Sequence, residues 1–222
     1  RVCLLDCDIQ FGDVANYLNI QSKKSLFQMY EDEDTNAADL TVETPWGFDV
    51  LPAPAELDEA YQINQDIVTR AIVHLKANYD YIVIDTTTGF SEINMGVLEK
   101  TDTLFLLCVV DFIPSVKNLK MGMDSLQRIQ FDTSRIRLVL NRNKAETQIS
   151  VKDVEGLLER RFRYMVSNDY MGMQQSLKDA EPIVLSQKPS KVADEISNIM
   201  DTELGGGESS NGSGGLWGWL WK

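Results

Sequence analysis

The sequence predicts an α/β fold: a doubly wound, mainly parallel sheet with helices on both faces. Two observations carry that prediction. Short runs that are apolar at consecutive positions recur at Val2–Leu5, Tyr81–Ile84, Leu104–Val110 and Ile136–Leu140, with weaker ones at Phe48–Leu51 and Phe162–Val166. Runs of this kind suit strands buried on both sides. Between them, apolar residues repeat at helical spacing, and strands alternating with amphipathic helices are the pattern of a layered α/β domain.

In chain order, Val2–Leu5 is a strand that leads into Asp6-Cys7-Asp8. Ile63, Ile67, Ala71 and Leu75 mark a first helix stripe, ahead of the strand Tyr81–Ile84. Val116, Leu119, Met123 and Leu126 mark a second, Val151, Val154 and Leu158 a third, and Val192, Ile196 and Ile199 a fourth. Asp58, Ser115 and Ser190 are candidate helix starts, with Pro114 and Pro189 favouring boundaries nearby. Residues 1–203 form one predicted domain. Residues 204–215 are Gly/Ser-rich, cannot bury a core, and read as a flexible linker. Residues 216–222 form a Trp-rich tail.

Composition narrows the function. With 34 acidic against 21 basic residues the net charge is -13, which argues against a protein that coats nucleic acid through clustered cations, and no direct nucleic-acid partner is expected. Cys3 and Cys7, four residues apart on a strand, would be roughly 13 Å apart and cannot pair. With His74 as the sole imidazole, Cys3, Cys7 and Cys108 read as reduced core thiols and not as a metal site. No run approaches the ~20 apolar residues of a membrane span, and no signal peptide is visible, so a cytoplasmic location is expected. Because the first residue is Arg1 at the start of a strand, the chain is expected to be a piece of a longer polypeptide.

The chemistry lies in acids at strand ends. Asp85 closes Tyr-Ile-Val-Ile and precedes Thr86-Thr87-Thr88-Gly89. A carboxylate there suits a water-mediated Mg²⁺ contact, and a Thr/Gly segment suits sensing of a γ-phosphate. Asp6 and Asp8, one residue apart, would face the same side of an extended strand and repel unless a cation or water lies between them. Each acid alone also fits a strand that ends in a turn.

Taken in order, Asp6-Cys-Asp8-Ile-Gln10-Phe11-Gly12-Asp13, Asp80-Tyr-Ile-Val-Ile-Asp85-Thr-Thr-Thr-Gly89, Leu-Val-Leu-Asn141-Arg142 and Val166-Ser-Asn-Asp169 resemble the MinD/ParA group of P-loop ATPases over roughly residues 1–200. Gln10 to Ala15 looks most like the CpaE/TadZ branch that positions pilus machinery, with the division-site MinD branch close behind. The resemblance implies ATP and Mg²⁺ as cofactors and an ATP-driven homodimer. Asp8 would poise the hydrolytic water, Asp85 would be the Mg²⁺-linked acid, and Asp6 would have a supporting role at best. Gly89 would lie in the γ-phosphate loop, Asn141 would read adenine, and Asp169 would border the base, although the Pro usual in that loop is replaced by Ser167 or Asn168.

The chain contains no Gly-Lys dipeptide. In the family a strand and a Lys/Gly-rich loop precede the segment that begins here, so the expected activity is ATP hydrolysis by the complete protein and none by this chain. The absent strand would be central in the sheet, so the isolated chain is expected to expose apolar surface and fold poorly. Trp217, Trp219 and Trp221, after a flexible leash, are similar to the membrane-binding tails of the MinD group and imply peripheral contact with the inner face of the membrane. The implied partner is a polar, pilus or division protein. The alternative is a nonenzymatic localisation scaffold with the same fold. A phosphoacceptor receiver domain fits worse, since the chain is too long and Asp85 leads into three threonines. The methionines at 121, 123, 171 and 173 read as gap fillers, and Glu31-Asp32-Glu33-Asp34 as a solvated loop.

Overall fold

The structure, a computed structural model, describes residues 1–110, 113–143, 149–186 and 188–205. The linker and the tail with Trp217, Trp219 and Trp221 lie outside the described residues, apart from Leu204 and Gly205. The chain divides into two compact units, residues 1–101 and the described residues from 102 onward.

The first unit holds β1 (Val2–Cys7), the short helices α1 (Val14–Tyr17) and α2 (Gln28–Glu31), β2 (Val42–Glu43), β3 (Asp49–Leu51), α3 (Leu57–Ala60), α4 (Gln65–Lys76), β4 (Tyr81–Thr86) and α5 (Glu92–Lys100). Its sheet runs β2-β3-β1-β4, with β1 parallel to both β3 and β4 and β2 antiparallel to β3. Successive strand residues face opposite sides. Cys3, Leu5 and Cys7 therefore share one side, where they join Val68, Ala71, Ile72 and Leu75 of α4 and Val97 of α5 in one continuous core. Ile82 and Ile84 of β4 pack against the same core. The other side of β4 departs from the prediction of a strand buried on both faces: Val83 is 53% exposed.

The second unit holds β5 (Leu104–Cys108), α6 (Ile113–Arg128), β6 (Ile136–Asn143), α7 (Val151–Leu158), β7 (Tyr164–Ser167), α8 (Tyr170–Asp179) and α9 (Lys191–Leu204). Its sheet is parallel throughout, in the order β5-β6-β7. Here helices do cover both faces. Leu138 and Leu140 pack with Val116 and Leu119 of α6 and Val154 and Leu158 of α7. Val139, between them, packs on the opposite side with Val166, Ile183, Val192 and Ile199. On β5, at the edge of this sheet, Leu107 is 59% exposed.

Helix starts follow local hydrogen bonding. Ser190 caps α9 as expected, accepting the Ala193 N–H at 3.3 Å. Asn64 caps α4 by accepting from Ile67 N–H at 3.0 Å, so Ile63 lies outside that helix. Asp58 sits inside α3, which begins after Glu56, and Ser115 sits inside α6. His74 is structural: its Nδ1 accepts the Ala37 N–H at 3.3 Å. The three cysteines are free thiols, and burial pushes that of Cys3 up to about 12. Among the described residues no helix is long and apolar enough to cross a membrane.

Candidate functional site

In the first unit the β1–β4 register sets Asp6 directly opposite Asp85 and Cys7 opposite Thr86, so both acids reach the carboxyl edge of the sheet together. That edge is where open α/β sheets bind ligands. Asp6 is only 1% exposed. Its carboxylate accepts the Asp8 N–H at 3.1 Å and the Val14 N–H at 3.3 Å. The chain therefore turns at Asp8 instead of continuing extended, which corrects the expectation that Asp6 and Asp8 share a strand face. Asp6 is the post around which residues 8–14 wrap. Gly12 makes this wrap feasible, because a Cβ there would stand 2.6 Å from Asp6 Oδ2 and 2.6 Å from Ala53 Cβ.

The electrostatics are those of crowded acids. Burial pushes the Asp6 carboxyl up to about 6; the two backbone N–H groups oppose this, and the charges of Asp85 and Asp8 add to it. Burial and then the charge of Asp8 raise Asp85 as well, against the Thr86 N–H. One Asp8 oxygen, Oδ1, is buried without a hydrogen-bond partner. Buried polar atoms are seldom left in this state.

An all-oxygen, carboxylate-rich edge with an orphaned buried oxygen suits a hard divalent cation such as Mg²⁺. Among the described residues no group of three or more His, Cys, Asp or Glu forms a closed metal cage.

Beyond Asp85, Gly89 has φ +110°, a conformation that favours glycine, and open space where a side chain would stand. Its loop is held from below by Asn94, a residue the sequence reading missed. Asn94 is buried, and its Nδ2 donates to Thr87 O at 3.0 Å, Thr87 Oγ1 at 3.1 Å and Gly89 O at 2.9 Å. The signal was local: Ser91 three residues earlier accepts the Asn94 N–H at 3.2 Å and caps α5.

In the second unit Asn141 and Asp169 come at the carboxyl ends of the neighbouring strands β6 and β7. Asn141 Oδ1 accepts the Arg142 N–H at 2.9 Å, and Arg142 has φ 56°. The ladder between β6 and β7 is irregular from Leu140 to Asn143. Asp169 caps α8, accepting the Gly172 N–H at 2.9 Å, and Gly172 lies so close to this carboxylate that a side chain there would collide with it. Ser167, before the cap, is fixed by Glu195, which accepts from its N–H at 2.6 Å and its hydroxyl at 2.9 Å.

A ParA family ATPase from Chlorobium tepidum superposes with a TM-score of 0.80 at 22% identity, covering 88% of this chain and 82% of that one. The septum site-determining protein MinD from Pyrococcus horikoshii, complexed with Mg-ADP, does so with a TM-score of 0.77 at 16% identity, covering 94% of this chain and 86% of that one. The chain has the fold of the MinD and ParA ATPases. MinD of Aquifex aeolicus in its MinC:MinD complex is similar too, with a TM-score of 0.76 at 17% identity over 96% of this chain and 87% of that one. Among curated sequences the cell division protein PomZ of Myxococcus xanthus is 22% identical over 141 residues, 60% of this chain. That match spans 44% of PomZ, less than half its length. No family model matches the chain. In this MinD/ParA fold, Asp8, Asp85 and Gly89 lie at the carboxyl edge of the first unit's sheet, and Asn141 and Asp169 at that of the second.

Proposed function

We propose that this chain belongs to an ATP-dependent spatial regulator of the MinD/ParA type, which dimerises with ATP and is released from its site of action by hydrolysis. The observation that carries this reading is the carboxyl edge of the first unit: crowded Asp6, Asp8 and Asp85, with an orphaned buried oxygen on Asp8, in a fold similar to nucleotide-binding ATPases. Mg²⁺, when bound, would offset phosphate charge and relieve the repulsion among these acids.

Asp85 holds the metal side of the site. Asp8, on the turn anchored by Asp6, accepts a proton from or orients the attacking water. Gly89 offers unhindered backbone to the terminal phosphate, with Asn94 fixing its loop. Asn141 presents an amide to the adenine edge, and Asp169 sets the start of α8 beside it.

The curated relative and the MinD structures favour division or partition positioning. The segment Gln10–Ala15 favours the CpaE/TadZ pilus branch as a second reading. A homodimer, a polar or division protein partner and membrane contact through Trp217, Trp219 and Trp221 belong to the same proposal. Vesicle co-sedimentation should drop when those tryptophans become Ala. The decisive experiment measures ATP turnover by the full-length polypeptide and by its Asp8→Ala variant. Equal turnover in the two, or no Gly-rich lysine-bearing loop encoded ahead of Arg1, would leave a nonenzymatic scaffold instead.

A further inference from the structure

At the amino ends of β6 and β7, in the second unit, a concavity of about 540 Å³ is lined by Ser134, Arg137, Arg160, Arg161, Phe162 and Arg163, over Ile136 and Leu138. It lies at the opposite end of β6 from Asn141, roughly 17 Å along the strand at the usual rise. In a chain of net charge -13 this density of guanidinium groups stands out.

Their partners leave much of that capacity unused. Arg137 is committed: its Nε donates to Glu203 Oε1 at 2.7 Å and Oε2 at 2.8 Å, and its Nη1 to Ser134 O at 2.6 Å. Arg160 uses Nη2 alone, on Thr133 O at 2.7 Å and Ile136 O at 3.0 Å. Arg163 lies 3.9 Å from Glu203, beyond hydrogen-bonding distance, and against Tyr164, its Cζ 5.7 Å from that ring's centroid, with its side chain 59% exposed. Arg161 makes no hydrogen bond or ion pair among the described residues. The carboxylates bonded to lining groups are Glu203, Glu155, which accepts the Phe162 N–H, and Asp132, which accepts the Ser134 N–H. The lining itself brings together four guanidinium groups, of Arg137, Arg160, Arg161 and Arg163, and, among the described residues, no carboxylate.

We propose that this concavity binds a small phosphate-bearing anion. The cations are all arginine, whose rigid fork pairs with oxyanions through two parallel hydrogen bonds. A planar carboxylate satisfies one fork. A tetrahedral phosphate presents oxygens in several planes and can meet Arg160, Arg161 and Arg163 from different directions. The surface is concave, and the rest of the chain is strongly acidic. Repulsion from that net charge works against a long polyanion, whereas a small one feels mainly the local field within a Debye length of about 8 Å at physiological salt.

The test uses inorganic pyrophosphate as probe on the full-length polypeptide, without Mg²⁺ and at low salt, followed by calorimetry and by the arginine Nε–Hε NMR signals. Binding should move the signals of Arg161 and Arg163, and the R161A/R163A double variant should bind at least tenfold more weakly with an unchanged melting temperature. Citrate at equal ionic strength should bind more weakly than pyrophosphate. No binding by the wild type, equal affinity in the double variant, or citrate as tight as pyrophosphate would overturn the proposal. So would a short DNA duplex that outcompetes pyrophosphate and loses binding in the double variant, which would make this face a nucleic-acid contact.

Discussion

At the ends of β1 and β4 in the first unit, Asp6, Asp8 and Asp85 crowd one another, two of them with raised pKa and the third with a buried oxygen that has no partner. At the ends of β6 and β7 in the second, Asn141 accepts one backbone N–H and Asp169 caps a helix. The cores differ in the same sense. The first unit packs one continuous cluster on one face of its sheet, whereas the second divides its apolar residues between two faces. The first unit concentrates unrelieved charge where a ligand would relieve it, and the second provides satisfied, fixed edges that position.

The largest effect that would break this contrast is on turnover. In the full-length polypeptide, Asp8→Ala or Asp85→Ala should lower kcat for ATP at least 100-fold, on the order of 3 kcal/mol of transition-state stabilisation, in steady-state assays. Asp169→Ala should leave kcat within about threefold.

Next is packing. Leu138→Ala, in the two-sided core of the second unit, should cost about 2–5 kcal/mol in urea unfolding, whereas Val83→Ala on the uncovered side of β4 should cost under about 0.5 kcal/mol.

The third is pH. The Asp6 pKa is raised from 3.8 to about 6 in the fold, so its contribution is fully present below pH 4 and is lost as pH rises through about 6. Relative to Asp6→Asn, the protein without Mg²⁺ should lose about 2 kcal/mol between pH 4 and pH 7, read from melting curves at each pH. Glu203 in the second unit has the opposite sign. Burial works against its charge, but Tyr164 and Arg137 hold its pKa below the usual value, so its contribution is present at neutral pH and lost on acidification. A shift of the same sign at both sites would erase the contrast.

Asn94→Ala should cost about 1–3 kcal/mol and speed amide exchange at residues 87–89, because it strips the loop of buried hydrogen bonds. A smaller effect is that of Asp169→Ala on the start of α8, about 1 kcal/mol in thermal melts.

Much of the fold was legible because its signals are local. The runs at Tyr81–Ile84 and Ile136–Leu140 are strands, and Ser190 caps its helix, since alternation and side-chain capping act within a few residues. The acids at 6, 8 and 85 were legible as strand ends. The form of Asp6's supporting role was not: it is the buried post that anchors the turn carrying Asp8. That depends on Gly12 folding back onto it, a contact that spacing does not reveal. Asn94 was missed although its capping partner Ser91 lies three residues away, and the arginine concavity because Arg137 is brought to Arg160–Arg163 only by strand pairing. Phe48–Leu51 and Phe162–Val166 were displaced by one or two residues, as the ends of short strands commonly are.

β4 ends the mixed sheet of the first unit and β5 the parallel sheet of the second, each with an apolar side chain in the open, Val83 on one and Leu107 on the other. Unpaired strand edges of this kind carry open backbone N–H and C=O groups that can pair with a further strand.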